Sequence, residues 1–130
     1  DLEPMPWCPV ASVPDAARIV EGADRPNGAV LVDALHFFRS ASTLDDVKRL
    51  PRARLNYAQI CDGKVPGPTA TEGLIHDARC ERLLPGEGGF QVLDRGQPVG
   101  QVGEHVVAGL VGQAFLEALA VGDVAQDGDE

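Results

Sequence analysis

Residues 29–40, AVLVDALHFFRS, decide the reading of this chain. Four apolar residues run without alternation into Asp33, His36 follows three positions later, and Arg39 lies just beyond. An uninterrupted apolar run of this length is the pattern of a strand covered on both faces, as in parallel sheets flanked by helices. A carboxylate and an imidazole at its end place polar chemistry where the strand leaves the core. The plainer reading of Asp33 is that it caps the turn that follows.

The neighbouring segments repeat the theme. DLEPMPWCPV (1–10) reads as a strand end running into a Pro-rich loop. SVPDAARIVEGA (12–23) reads as a helix, with Ser12 as cap, Pro14 in the first turn and Gly22 as its end. In STLDDVKRLP (42–51), Ser42 or Thr43 caps a second helix, Asp45 and Asp46 sit in its first turn, Lys48 and Arg49 in its last, and Pro51 stops it. RLNYAQICDG (54–63) is a further strand closed by Asp62-Gly63. KVPGPTAT (64–71) is a loop, and TEGLIHDARCERLLPGEGGF (71–90) is a short helix followed by a Gly-rich turn. Strands alternating with helices predict an α/β architecture with a parallel sheet. Polar residues cluster after each strand: Glu3, Asp33 with His36, and Gln59 with Asp62. In parallel α/β folds, and above all in (β/α)8 barrels, that edge carries the active site.

The bulk composition restricts the rest. At 130 residues the chain has the size of one ordinary domain or half a large one. With 44% hydrophobic but only 5% aromatic residues, the core is built mainly of Val, Leu and Ala. A net charge of −9 argues against a nucleic-acid partner, whose phosphates would be repelled. No apolar run approaches the roughly 20 residues of a membrane span, and the acidic opening does not resemble a signal peptide. Cys8, Cys61 and Cys80 are spaced by 53 and 19 residues, without a C-x2-C pair. They read as reduced thiols rather than a zinc site, and a cytoplasmic location is expected. The PGEGG turn (85–89) lacks the Lys-Ser/Thr of a phosphate-cradling loop.

Glu3, Asp33 and Gln59 are separated by one βα unit each and are candidates to converge on a hard or borderline divalent cation, for which carboxylates and an amide oxygen are suitable donors. His36 is the candidate substrate contact beside them. Arg39, Lys64, Arg79 and Arg82 are candidates to hold an anionic or hydroxylated substrate.

Together, LEPMPW, LVDALHFFRS, YAQICDG and DARCERLLPGEG resemble the sugar phosphate isomerase/epimerase family of xylose isomerase-like TIM barrels. The most specific pieces are the D-x-x-H after an apolar strand and the R-x-x-P-G-E-G of residues 82–88. The resemblance covers residues 1–90 and implies a partial (β/α)8 barrel, about strands four to seven. It implies a bound Mn, Mg or Co ion, with Glu3 and Asp33 matching the first two ligands and Gln59 standing where many members have His and some dehydratase-like members Gln. It makes His36 the substrate-contacting histidine and gives Glu3 a share in proton transfer. The implied activity is that of an isomerase, epimerase or dehydratase acting on a small sugar, polyol or hydroxy-acid. A repair endonuclease of the same superfamily is disfavoured by three histidines and the acidic charge.

The chain departs from that pattern in two ways. The first strands of a barrel are missing, and so is the V-E-V-like segment that supplies a fourth ligand. Glu104, in QVGEHVV, is the remaining candidate but stands in the wrong context. Residues 91–130 carry seven acids and the single base Arg95, and are rich in Val, Gly and Ala. They read as a divergent, foreign or frame-shifted acidic segment with a helical stretch. Half a barrel exposes sheet edges, so an inactive fragment, a homo-oligomer or a complementing half-barrel are the alternatives to a working enzyme.

Overall fold

The computed structural model describes residues 1–90. The readings made for the acidic C-terminal segment, including Glu104, lie outside the described residues.

The described chain is a partial α/β fold with parallel strand pairing. Helix α1 (Val13–Ala23) leads to strand β1 (Val30–Asp33), which passes directly into α2 (Ala34–Arg39). Then follow α3 (Leu44–Lys48), a 3-10 turn (Arg52–Arg54), strand β2 (Leu55–Gln59) and α4 (Thr71–Cys80). β1 pairs in parallel with β2, and on its other side Leu2 bridges to Val30, also in parallel. The Leu2 amide donates to the Ala29 carbonyl at 2.8 Å, and the Leu31 amide donates back to the Leu2 carbonyl at 3.0 Å. The expected first strand is thus a single bridging residue, and β1 is the centre of the sheet.

The apolar run is buried throughout, Val30, Leu31, Val32 and Asp33 alike. Val13, Ala16 and Val20 of α1 recur at helical spacing and cluster with Val30, Val32, Leu35, Phe37, Val47 and Leu55. β2 is more exposed than the sequence suggested; Leu55 is its one buried residue.

Helix starts follow the sequence closely. Ser12 and Thr43 cap α1 and α3, and each forms a reciprocal capping box with the acid three residues on, Asp15 and Asp46. Ser42 is not the cap of α3. Its hydroxyl accepts from the Val13 amide at 2.9 Å, so it satisfies an open donor at the start of α1 across 29 residues of sequence.

Two boundaries differ from the sequence reading. α1 runs past Gly22 to Ala23 and is closed by Asp24 in the left-handed conformation, φ 46°. Asp tolerates that region because its short carboxylate can bond locally. The strand ends at Asp33, the residues after it form a helix, and Asp33 caps that helix rather than a simple turn.

Candidate metal centre

Asp33 ends β1 and begins α2. Its Oδ1 accepts the His36 amide at 3.0 Å, so D-x-x-H is in the first place an N-cap and its third helical position. That turn also fixes where His36 goes. The ring is buried, and Trp7 packs edge-on against it with centroids 5.0 Å apart. Glu3, one residue beyond the Leu2 bridge, brings Oε1 to 3.5 Å from His36 Nε2, which is itself 4.0 Å from Asp33 Oδ1.

Glu3, Asp33 and His36 each offer a donor atom, and all three lie within 4.8 Å of one another. Donors about 2.1 Å from a shared ion stand ~3.5 Å apart, so a modest inward rotation closes the set. The electrostatics suit a cation. Burial, reinforced by Asp33 and opposed by Arg82, pushes the Glu3 carboxyl above its ordinary 4.5. Burial holds His36 below its ordinary 6.5, with Asp33 opposing and Arg82 assisting, so the imidazole is neutral at pH 7 and has a lone pair to give. His36 Nδ1 is buried and has no hydrogen-bond partner among the described residues. Two carboxylates and a neutral imidazole fit a hard or borderline divalent ion.

Gln59 stands in register beside Asp33 on β2. It is exposed, so the sheet places it at the site's edge while Asp33 lies beneath the surface.

The four candidate substrate cations are employed differently. Arg82 reaches the site: its Nη1 donates to Asp33 Oδ2 at 2.7 Å and to Cys61 Sγ at 3.4 Å, and its Nε donates to the Ala78 carbonyl at 2.7 Å. Arg39 is buried against Asp77, with Nε 2.8 Å from Oδ2, and its Nη2 donates to the Lys64 carbonyl at 2.8 Å. Its guanidinium also lies 4.9 Å from the centroid of the Phe90 ring. A Cβ at Gly67 would fall 2.1 Å from that guanidinium, so a side chain there would have to push Arg39 off its present position. Lys64 pairs with Glu81, which also lies near His76. Arg79 is exposed on α4.

Three contributors were given no role by the sequence, although Asp62 was grouped with Gln59 among the strand-end polar residues. Trp7 shapes the wall beside His36. Asp77 is the buried partner of Arg39. Asp62, fully buried, accepts the amides of Gly63, Gly86 and Phe90 at 2.8, 3.0 and 2.9 Å, tying the Gly-rich turn to the end of the second strand segment. Trp7 and Asp77 stand at the ends of two of the quoted segments with no role read for them, and the signals for Asp62 were its place after a strand and the Asp-Gly pair at 62–63. Cys61 is a buried thiol, and burial with the nearby Asp33 charge pushes it above its ordinary 9.0, which keeps it protonated.

No protein-family model matches the chain, and no curated protein sequence does. Solved structures do. One is a xylose isomerase-like TIM barrel/4-hydroxyphenylpyruvate dioxygenase fusion protein, with a TM-score of 0.59 at 21% identity over 69% of this chain and 14% of the other. Another is the IolI protein, solved with a bound zinc atom, with a TM-score of 0.55 at 25% identity over 68% of this chain and 30% of the other. The chain thus spans less than a third of either neighbour. Among the described residues no helix is long and apolar enough to cross a membrane. By architecture, the described residues are a partial α/β fold similar to a segment of a xylose isomerase-like TIM barrel.

Proposed function

We propose that this chain carries part of the active site of a metal-dependent isomerase, epimerase or dehydratase acting on a small sugar, polyol or hydroxy-acid. The observation that carries the reading is the convergence of Glu3, Asp33 and His36 within 4.8 Å at the strand ends of a xylose isomerase-like barrel segment. Glu3, Asp33 and His36 would hold the ion, with Gln59 at its edge. A divalent ion held there would supply Lewis-acid polarisation to a substrate carbonyl and hydroxyl.

The protein's own share is proton handling and orientation. Glu3 is the group to carry the proton. Its carboxyl is raised by burial, a third of its side chain remains accessible at 31%, and it is near enough to His36 to share a substrate hydroxyl. His36 is held in place by the α2 turn and the Trp7 edge, with Nε2 turned toward Glu3 as the nitrogen that would face the ion and Nδ1 buried behind it. Asp33 is held in place as the buried N-cap of α2 and the partner of Arg82.

Titration of the full chain with Mn2+ tests this reading. Trp7 is the sole tryptophan and lies against His36, so bound Mn2+ should quench its emission. The expected result is saturable quenching that Asp33→Asn abolishes. Absence of binding, or binding indifferent to Asp33→Asn, refutes it.

A second reading rests on the sheet. Among the described residues, β2 pairs on one side only, and Tyr57 on it is 47% exposed. An uncovered edge of this kind favours completion of the barrel by another copy or a separate half-barrel chain. Sedimentation distinguishes them: a compact monomer that turns over substrate excludes this requirement.

A further inference from the structure

Both oxygens of Asp33 are engaged. Oδ1 accepts the His36 amide at 3.0 Å, a bond that α2 needs as its cap. Oδ2 accepts Arg82 Nη1 at 2.7 Å. Of these two partners only the second can leave without unwinding a helix. Arg82 is suited to leave: its side chain is 33% exposed, whereas that of Asp33 is fully buried. It is also well placed to return, since its Nε is held by the Ala78 carbonyl near the end of α4. The guanidinium charge acts on Glu3, His36 and Cys61 as well as on Asp33. It therefore sits among the same side chains that would surround a metal ion.

We propose that Arg82 is a displaceable resident cation. It neutralises the Asp33 carboxylate in the metal-free protein and gives up Oδ2 when a divalent cation binds. The physical basis is that a buried carboxylate without a counter-charge is costly. Two cations a few Å apart in the same half-buried site repel each other. One must go, and Arg82 has an exit to solvent. Metal loading and the release of a guanidinium at the mouth of the site are thereby one event. This inference rests on the metal-site reading above and adds to it a coupling that reading does not require.

The test compares Mn2+ affinity in the full-length wild type, Arg82→Met and Arg82→Lys, read by Trp7 quenching and by calorimetry. Removing a competitor held by a charge-assisted hydrogen bond should tighten Mn2+ binding by about tenfold or more in Arg82→Met. Arg82→Lys should lie between, because one ammonium cannot reach both the Ala78 carbonyl and Asp33. A merely structural Arg82 would leave affinity unchanged or weaken it, and that result overturns the proposal while the metal site itself stands. Mn2+ binding by neither protein overturns both. Binding by Arg82→Met but not by the wild type would show that Arg82 holds the site without yielding it, and overturns displacement.

A measurement on the wild type needs no variant to fold. Titration with diamagnetic Mg2+, followed at the 15N side-chain resonances of Arg82, should shift those resonances along the same curve as binding. If Mg2+ binds and the Arg82 resonances do not move, Arg82 is not displaced.

Discussion

Gln59 stands beside Asp33 because β2 takes three steps from Leu55 to Ala58 while β1 takes two from Val30 to Val32. Without that extra residue, Ala58 would be the partner of Asp33. Irregularities of this kind re-aim side chains at the rims of sheets, and here the result is an amide next to the buried carboxylate. The position of Gln59 beside Asp33 is thus set by a slip in register rather than by any feature of Gln59 itself.

Gln59→Leu should weaken Mn2+ binding by roughly tenfold or more, in the range seen when groups supporting a metal site are removed. Gln59→Glu should retain or strengthen it. Calorimetry on the two variants decides; equal affinity in both would place Gln59 outside the site.

Asp33 has a structural duty as well as a chemical one, and two substitutions separate them. Asp33→Asn keeps an N-cap of the same shape but removes the counter-charge of Arg82. It should cost about 1–3 kcal/mol in urea denaturation. Asp33→Ala also loses the cap and should cost about 1 kcal/mol more. If the two variants are equally stable, the Asp33–His36 cap contributes nothing.

The pH dependence of stability has a defined sign. His36 has its folded value below the ordinary 6.5, because burial disfavours the imidazolium. As pH falls below 6.5 the unfolded chain takes up this proton and the folded chain does not. Stability therefore declines from pH 6.5 down to the folded value of His36. Glu3 works in the opposite direction. Its folded value lies above 4.5, so its contribution is full below 4.5 and is lost as pH rises through the folded value. Denaturation midpoints across pH 4 to 8 in a Glu3→Gln background should show the His36 slope alone, and His36→Asn should flatten it.

The two capping boxes offer a local test. Ser12→Ala and Thr43→Ala should each cost about 1 kcal/mol. Hydrogen bonding to Ser12 and to Thr43 holds Asp15 and Asp46 below their ordinary 3.8. Their support is present above 3.8 and is lost as pH falls through the folded values, so the acid limb of denaturation should be shallower in Asp15→Asn.

Asp62 organises the Gly-rich turn through three amides, and Asp62→Ala should destabilise the protein by about 3–5 kcal/mol by leaving buried donors unpaired. Gly88→Ala should do comparable damage for a steric reason. Its Cβ would fall 2.3 Å from Asp62 Oδ1 and 2.4 Å from the Gly63 carbonyl oxygen. Normal stability in Gly88→Ala would show that the turn can relax away from Asp62.

Much of this was legible along the chain. The unalternating AVLV run announced a doubly covered strand, the Ser12 and Thr43 caps marked two helix starts, and the polar residues read at the strand ends include the three that the fold gathers, Glu3, Asp33 and His36. These signals are local: a cap and its amide lie three residues apart, and burial periodicity is read within one element. Tertiary structure decided what lay between elements. It extended the turn capped by Asp33 into a helix, since the apolar residues that follow find a core to enter. It paired Arg82 with Asp33 across 49 residues and Arg39 with Asp77 across 38, leaving different tasks to four cations that look alike in sequence. It also set the register that brings Gln59 to Asp33. Partner choice over such distances depends on strand order, bulges and helix placement, which follow from the packing of the whole sheet and are encoded in no single stretch of sequence.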